Sequence, residues 1–361
     1  MEINKILKMV IDKDASDVFL KVNSPPTMRI TGRVTIITDL KPLTVKDMQN
    51  YIDEICTPQQ KAIYEKDFDV DFAFDREGLD RFRASVFMQR GFPSIVMRRI
   101  RKSIGTFTDL NLPHKVLTQL SNEMRGLVLL TGPAGSGKST TIASMVEFMN
   151  QNISKHIITV EDPIEFVFED KNSIINQREL GLDVRSYPVA LRQVTLQSPD
   201  VIFIGTIRDL PTMSAAITAA EMGMLVLSTI HTVNAAQTVE RILNFFPPYQ
   251  HEEVMMQLSF LLKGVVAIRL LPRIDSQGRI PACEVMTLTP TISRLIRENK
   301  LQDITKYLEE GEMFGMQSFK QSLCSLVQKG HVKREDALLF ADNKEELDLE
   351  LKGIRRIERT T

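Results

Sequence analysis

The sequence predicts an α/β protein in two parts: an α+β domain with an antiparallel sheet, then a domain built on a parallel sheet that ends in a mostly helical portion. Two observations carry this. Over the first hundred residues, short β-like runs at 17–22, 28–31, 34–37, 70–74, 82–87 and 94–98 alternate with helical periodicity at 3–11 and 45–65. Further on, strongly apolar runs at 127–131, 156–160, 201–205 and 225–229 are separated by helical segments, the pattern of strands buried on both faces.

In chain order, the first domain is expected over residues 1–98. Residues 99–113 carry basic side chains, then Gly105 and Leu112-Pro113, and are expected to form a linker. A helix over 114–121 opens the second domain, 114–361. After Phe246-Pro247-Pro248 the chain is expected to turn mostly helical, with a helix over 252–263 and hairpin character over 269–284, turning around 276–278. Helices follow near 290–298, 302–309, 315–329 and 333–340, and the charged end at 344–361 is expected to hold a helical turn or two and a frayed tail.

Composition narrows the function classes. Lysine plus arginine (45) nearly balances aspartate plus glutamate (46), so there is no global basic field of the kind that drives non-specific nucleic-acid binding, and no nucleic-acid partner is expected. No apolar run approaches the about 18 residues that span a bilayer, and the first residues lack the apolar segment of a secretory signal, so a cytoplasmic location is expected. Cys56, Cys283 and Cys324 are scattered singly, which fits reduced, packed thiols and argues against a disulfide or zinc framework.

The stretch Leu127-Val-Leu-Leu-Thr-Gly-Pro-Ala-Gly-Ser-Gly-Lys-Ser-Thr-Thr141 is the most specific signal. Gly132, Gly137, Lys138 and Ser139 satisfy G-x-x-x-x-G-K-[ST] between an apolar strand and a helix expected over 140–149, and Gly135 adds a further residue free to take positive φ. With Pro133, Ala134, Ser136 and Thr140 these residues form a loop whose amides wrap an anion, so a nucleotide is the expected ligand. Lys138 reaches the β- and γ-oxygens and the Ser139 hydroxyl takes Mg²⁺, which makes ATP and Mg²⁺ the expected cofactors. Glu161 and Asp162 follow the apolar run 156–160, at the edge where open parallel sheets bind ligands. A carboxylate there orients or deprotonates the attacking water and can share the metal, which makes Glu161 a catalytic and metal candidate. Taken alone, Glu161-Asp162-Pro163 also suits a helix cap or a surface turn. Val201-Ile-Phe-Ile-Gly-Thr-Ile-Arg-Asp209 occupies a Walker B position, and His231 ends the run after it.

Together these segments resemble the type IV pilus retraction ATPases of the PilT/PilU family, within the secretion-ATPase superfamily, over essentially the whole chain. Residues 157–166 resemble the family's Asp box, 228–232 its His box and 201–209 its atypical Walker B. Asn176-Gln-Arg178, residues 241–247, residues 264–272 and Gly315-Met-Gln-Ser-Phe319 are similar to stretches that mark the retraction branch. The resemblance implies a PAS-like N-terminal domain, a RecA-like P-loop ATPase domain and a homo-hexameric ring with nucleotide between subunits. It further implies a catalytic role for His231 and arginines reaching a neighbour's nucleotide, for which Arg83 and Arg98 are the candidates, with Arg81 beside them. An inner-membrane pilus platform at the cytoplasmic base of the pilus and a PilT-type partner ATPase are the implied partners, and twitching motility the implied process.

Departures from the family pattern cluster in about thirty residues. Gly205 is followed by Thr206 where the family has Gly-Glu, Leu196 stands at a family arginine, Pro211 at an acidic residue and Met224 at a family histidine. Because the Walker B aspartate is already a glycine in this family, Thr206 leaves the strand end without a carboxylate. Two functions are therefore expected as alternatives: an ATP-driven retraction motor, or a weakly hydrolysing ring subunit acting beside an active PilT-type ATPase. A type II secretion or pilus-assembly ATPase is the weaker reading, since the four-cysteine metal insert typical of those proteins is absent.

Overall fold

The computed structural model describes residues 2–30, 32–100, 104–275 and 278–353. Its chain divides into two compact units, Met1–Ser103 with Pro163–Val167, and Ile104–Asp162 with Phe168–Thr361.

The first unit runs α1 (Ile3–Asp12), β1 (Ala15–Lys21), β2 (Thr27–Ile30), β3 (Arg33–Ile36), α2 (Val45–Ile55), α3 (Pro58–Asp67), β4 (Asp69–Phe74), β5 (Arg81–Gln89) and β6 (Phe92–Ile100). The six strands form one antiparallel sheet in the order β3-β2-β1-β6-β5-β4. Its core is built from Ile3, Leu7, Val18, Met48, Ile52, Phe82, Ile95 and Met97, which alternate inward along strands and at helical spacing along α1 and α2. Thr31 and the expected linker residues 101–103 lie outside the described residues.

The helix expected over 45–65 is two helices. Thr57 sits extended at ψ 162°, as a residue before proline is driven to, and its side chain and that of Gln60 form a capping box that starts α3 with Pro58 in its first turn.

The second unit runs α4 (His114–Ser121), β7 (Gly126–Thr131), α5 (Lys138–Asn152), β8 (His156–Glu161), β9 (Ile174–Glu179), α6 (Tyr187–Val194), β10 (Val201–Ile204), α7 (Leu210–Glu221), β11 (Leu225–Ile230), α8 (Ala235–Leu243), α9 (His251–Leu261), β12 (Leu262–Pro272), β13 (Arg279–Thr287), α10 (Pro290–Arg297), α11 (Ile304–Glu310), α12 (Phe319–Gln328), α13 (Arg334–Phe340) and α14 (Lys344–Leu351). Seven strands in the order β13-β12-β7-β11-β10-β8-β9 form one sheet, parallel throughout except for β13. Leu127, Val128, Leu129 and Leu130 of β7 are fully buried, split between the cores on the sheet's two faces. Each such side chain contributes roughly 1.5–3 kcal/mol relative to exposure.

Three sequence expectations are corrected here. A strand, β9, extends the sheet beyond β8 where only helical segments were expected. The hairpin expected over 269–284 is present but longer, so the C-terminal portion is less helical than its sequence suggested: β12 and β13 are eleven- and nine-residue strands that pair with each other, and β12 lies against β7 inside the sheet. Their turn, at 276–277, falls outside the described residues. The helix expected over 315–329 begins only at Phe319, because Gly315 takes the left-handed conformation at φ 76° and Ser318 with Gln321 forms a capping box. The end of the charged tail, residues 354–361, also lies outside the described residues.

Candidate nucleotide site

Four adjacent strands, β7, β11, β10 and β8, bring their C-terminal ends to one edge of the sheet. They carry, respectively, the glycine loop, His231, Gly205-Thr206 and Glu161. That edge is where a parallel α/β sheet binds its ligand.

The loop's conformation is imposed by its glycines. Gly132 lies at φ 140°, and a Cβ there would approach Ile268 O to 2.5 Å and Ser136 Oγ to 2.6 Å. Gly137, at φ 98°, is the N-cap of α5, so the loop delivers its amides directly into a helix N-terminus. Pro133, Ala134 and Gly135 are exposed at the rim, while Ser136 and Lys138 are buried. Lys138 Nζ donates to Gly132 O at 2.8 Å and Pro133 O at 2.9 Å, which holds the ammonium across the loop. Ser136 Oγ is buried with no hydrogen-bond partner, a polar atom facing the cradle. Ser139 and Thr140 are half-buried in the first turn of α5. Positive-φ glycines, a buried ammonium and an orphaned hydroxyl fit a polyphosphate. Among the described residues no group of three or more His, Cys, Asp and Glu side chains can hold a metal on its own, so a divalent cation here would be shared with phosphate oxygens.

Glu161 ends β8 and is buried, with Oε1 accepting from Thr159 Oγ1 at 2.7 Å and from Gln177 Nε2 at 3.3 Å. Thr159 and Glu161 share a strand face, and β9 places Gln177 opposite Thr159 in register. The carboxylate is thus held from two strands, and the cap or surface-turn reading of Glu161 is set aside; Asp162, next to it, is exposed.

His231 is exposed at the end of β11. Desolvation lowers its pKa, and the nearby Lys138 and Arg208 charges lower it further, against a backbone hydrogen bond with Gly132. The neutral imidazole and Lys138 therefore both engage the Gly132 carbonyl side of the loop.

At the end of β10, Thr206 Oγ1 lies 3.0 Å from Thr229 Oγ1, which itself donates to Gly205 O at 2.8 Å. The Thr206 hydroxyl is turned into the sheet edge and does not stand in for a carboxylate. Asp209 caps α7, accepting from Thr212 N at 2.8 Å, with Pro211 in that helix's first turn. Met224 is buried and its carbonyl accepts from Gly126 N. Those two departures have structural accounts, whereas Leu196 is 85 % exposed and nothing in the structure explains it.

Arg83 and Arg98 face each other across the β5–β6 pair of the first unit. Arg98 Nε donates to Asp17 Oδ1 at 3.0 Å, while Arg83, half-buried, has no ion pair among the described residues. Like charges directly opposite on a sheet are destabilising, so this pair is suited to an anion. Arg81 pairs with Asp75 and donates to Ile164 O at 3.2 Å.

Gln177, Thr159 and Tyr187 were missed by the sequence reading; the first two share a register that only the strand pairing reveals. A further missed residue is Glu284 of β13, buried, whose Oε1 accepts from Ala235 N at 2.8 Å and so anchors the start of α8 just beyond His231. Burial pushes its pKa up to about 7, with Asp342 adding to the rise and Arg269 opposing it. A carboxyl raised in the folded state stabilises fully below its unfolded pKa, near 4.5, and loses that contribution as pH rises through about 7. The loss is on the order of 3 kcal/mol. Glu284→Gln should flatten this slope: urea melts at pH 5 and pH 8 should differ less for the variant than for wild type, and parallel differences would refute it.

A phosphate loop at the C-terminal edge of a parallel sheet, with a buried acid held on a nearby strand, defines a P-loop ATPase. The chain belongs to the type II/IV secretion system protein family, whose model matches residues 1–299. It is 39% identical over 352 residues to the type IV pilus ATPase PilU of Pseudomonas aeruginosa, covering 98% of this chain and 92% of that protein. It is likewise 39% identical over 337 residues to the type IV pilus retraction ATPase PilT of the same organism, covering 93% of this chain and 97% of that one. A crystal structure of the pilus retraction motor PilT with bound ADP superimposes with a TM-score of 0.90 at 43% identity, over 96% of this chain and 99% of that chain.

Proposed function

We propose that this chain is an ATP-hydrolysing subunit of the type IV pilus retraction machinery, working at the cytoplasmic base of the pilus in twitching motility. The phosphate cradle, intact in every residue the motif requires, is the observation that carries the reading. Full-length similarity to PilT and PilU supplies the process. The first unit is PAS-like and the second RecA-like, the subunits form a homo-hexamer docked on an inner-membrane platform protein, and the domain boundaries are 1–98, 99–113 and 114–361.

In this reading the amides of residues 132–140 and Lys138 hold the phosphates. Lys138 exchanges its bonds to Gly132 O and Pro133 O for phosphate oxygens. Ser139 would hold Mg²⁺, with Glu161 as the further residue that would share it. Bound ATP with Mg²⁺ supplies the reacting phosphoryl group and the neutralising charge. Glu161, fixed by Thr159 and Gln177, orients the attacking water, and His231 reads the loop through the Gly132 carbonyl. Arg83 and Arg98 of an adjacent subunit complete the site from outside.

Lys138→Ala should abolish binding that is in the micromolar range for wild type, measured by calorimetric titration with ATP and Mg²⁺. Wild-type protein that takes up no ATP would overturn the reading.

A second reading is favoured by Thr206: the chain is an auxiliary ring that binds nucleotide, hydrolyses it slowly and acts beside a PilT-type ATPase. Steady-state turnover of the purified protein with and without such a partner separates the two.

A further inference from the structure

Tyr187 opens α6 and is half-buried, and its phenol oxygen is directed to the sheet edge that carries the site. A Cβ built on Gly205 would lie 2.8 Å from that oxygen, 3.4 Å from Glu161 Cα and 3.5 Å from Val160 O. The hydroxyl therefore rests directly on the bare Cα of Gly205, between the ends of β10 and β8. The Thr206 backbone also reaches it, and the charges it feels are those of Asp162, Glu161 and Arg208. Thr206, the residue at the place of the family acid, turns its own hydroxyl away to Thr229. The polar atom standing at this strand end is the phenol.

We propose that Tyr187 is a further catalytic residue, whose hydroxyl donates a hydrogen bond to the water that Glu161 orients, at the strand end where Thr206 leaves no carboxylate. The inference rests on the ATPase reading above. A phenol, whose ordinary pKa is about 10, is protonated near neutral pH and serves as a donor, never as a base. A neutral donor positions water but neutralises no proton and anchors no cation, so it replaces a carboxylate only in part. Glycine at 205 is then required for space: the phenol oxygen is the one atom inside the distance a new Cβ would forbid.

Tyr187→Phe keeps the ring and removes the hydroxyl. It should lower kcat about fivefold to tenfold, the effect of one neutral hydrogen bond, with KM for ATP within about twofold of wild type. Gly205→Ala, which displaces the hydroxyl without removing it, should cause a similar loss. In a Thr206→Glu background, where a carboxylate takes over, the Tyr187→Phe loss should shrink below about twofold, a non-additivity that a packing role would not produce. A readout independent of turnover is available because the sequence has five tyrosines and no tryptophan. Titration with AMP-PNP and Mg²⁺ should change the tyrosine emission of wild type, and Tyr187→Phe should lose most of that change. Equal kcat in wild type, Tyr187→Phe and Gly205→Ala, or an emission change that survives Tyr187→Phe, would overturn the proposal. Lys138→Ala run alongside keeps the two readings apart: turnover that survives Lys138→Ala sinks the ATPase assignment, whereas turnover lost there but untouched by Tyr187→Phe sinks only the role of Tyr187.

Discussion

Arg83→Ala should lower ATP turnover by on the order of 10³ while nucleotide affinity stays close to wild type. An arginine delivered to a transferring phosphoryl group from a neighbouring subunit is worth 10³ or more in other phosphoryl-transfer enzymes, because it meets charge that develops only in the transition state. Arg83 is the better probe of the two candidates. Arg98 already has a carboxylate at 3.0 Å in Asp17, so removing it also leaves that buried acid, among the described residues, with Arg29 as its remaining cation. Arg83 has no such tie among the described residues, and its loss relieves a like-charge cross-strand pair. The variant should melt no lower than wild type. Steady-state ATPase assays with calorimetric binding decide it: equal turnover, or turnover and binding lost together, would remove the arginine from the mechanism. Isolated residues 114–361 with full activity would do the same.

Thr206→Glu should raise turnover by about 10², or roughly 2.7 kcal/mol of barrier, with ATP affinity nearly unchanged. The carboxylate would enter at the end of β10 and would fix the hydration of the cation proposed to bind at Ser139. The substitution gives up the hydroxyl contact to Thr229, a neutral hydrogen bond worth about 1 kcal/mol, so a small drop in melting temperature should accompany the gain in rate. Wild-type turnover that already matches an ordinary retraction ATPase, with Thr206→Glu neutral, would mean the acid is not missed. The auxiliary reading would then lose its main support.

What was legible in the sequence was what local chemistry enforces. The glycine loop is readable because positive φ at 132, 135 and 137 admits almost nothing else, and the strand before it because both its faces are buried. The strands that were missed fail the same criteria. Ile174-Ile-Asn-Gln-Arg-Glu179 is an edge strand with mostly polar residues, so it shows neither alternation nor an apolar run. Leu262–Pro272 was expected as a hairpin arm only from residue 269; its first half follows a helix with no break, and its apolar run continues that helix's pattern. The site was legible in its motif residues and opaque in their supports: Gln177 reaches Glu161 across a strand pair, and Tyr187 reaches Gly205 across a helix-to-sheet contact. No spacing in the sequence encodes either distance.

The placement of β12 beside β7 bears on how the protein can be divided. The strand that leads into the phosphate loop is interior only because residues 262–272 cover its outer side, and Gly132 itself lies against the Ile268 carbonyl. A fragment ending after the His231 segment would contain every nucleotide motif and still present the loop strand as a raw, apolar sheet edge, open to pairing with another molecule. The minimal nucleotide-binding piece of this chain is therefore larger than its motifs suggest, and trimming from the C-terminus should yield aggregation long before it reaches a motif residue.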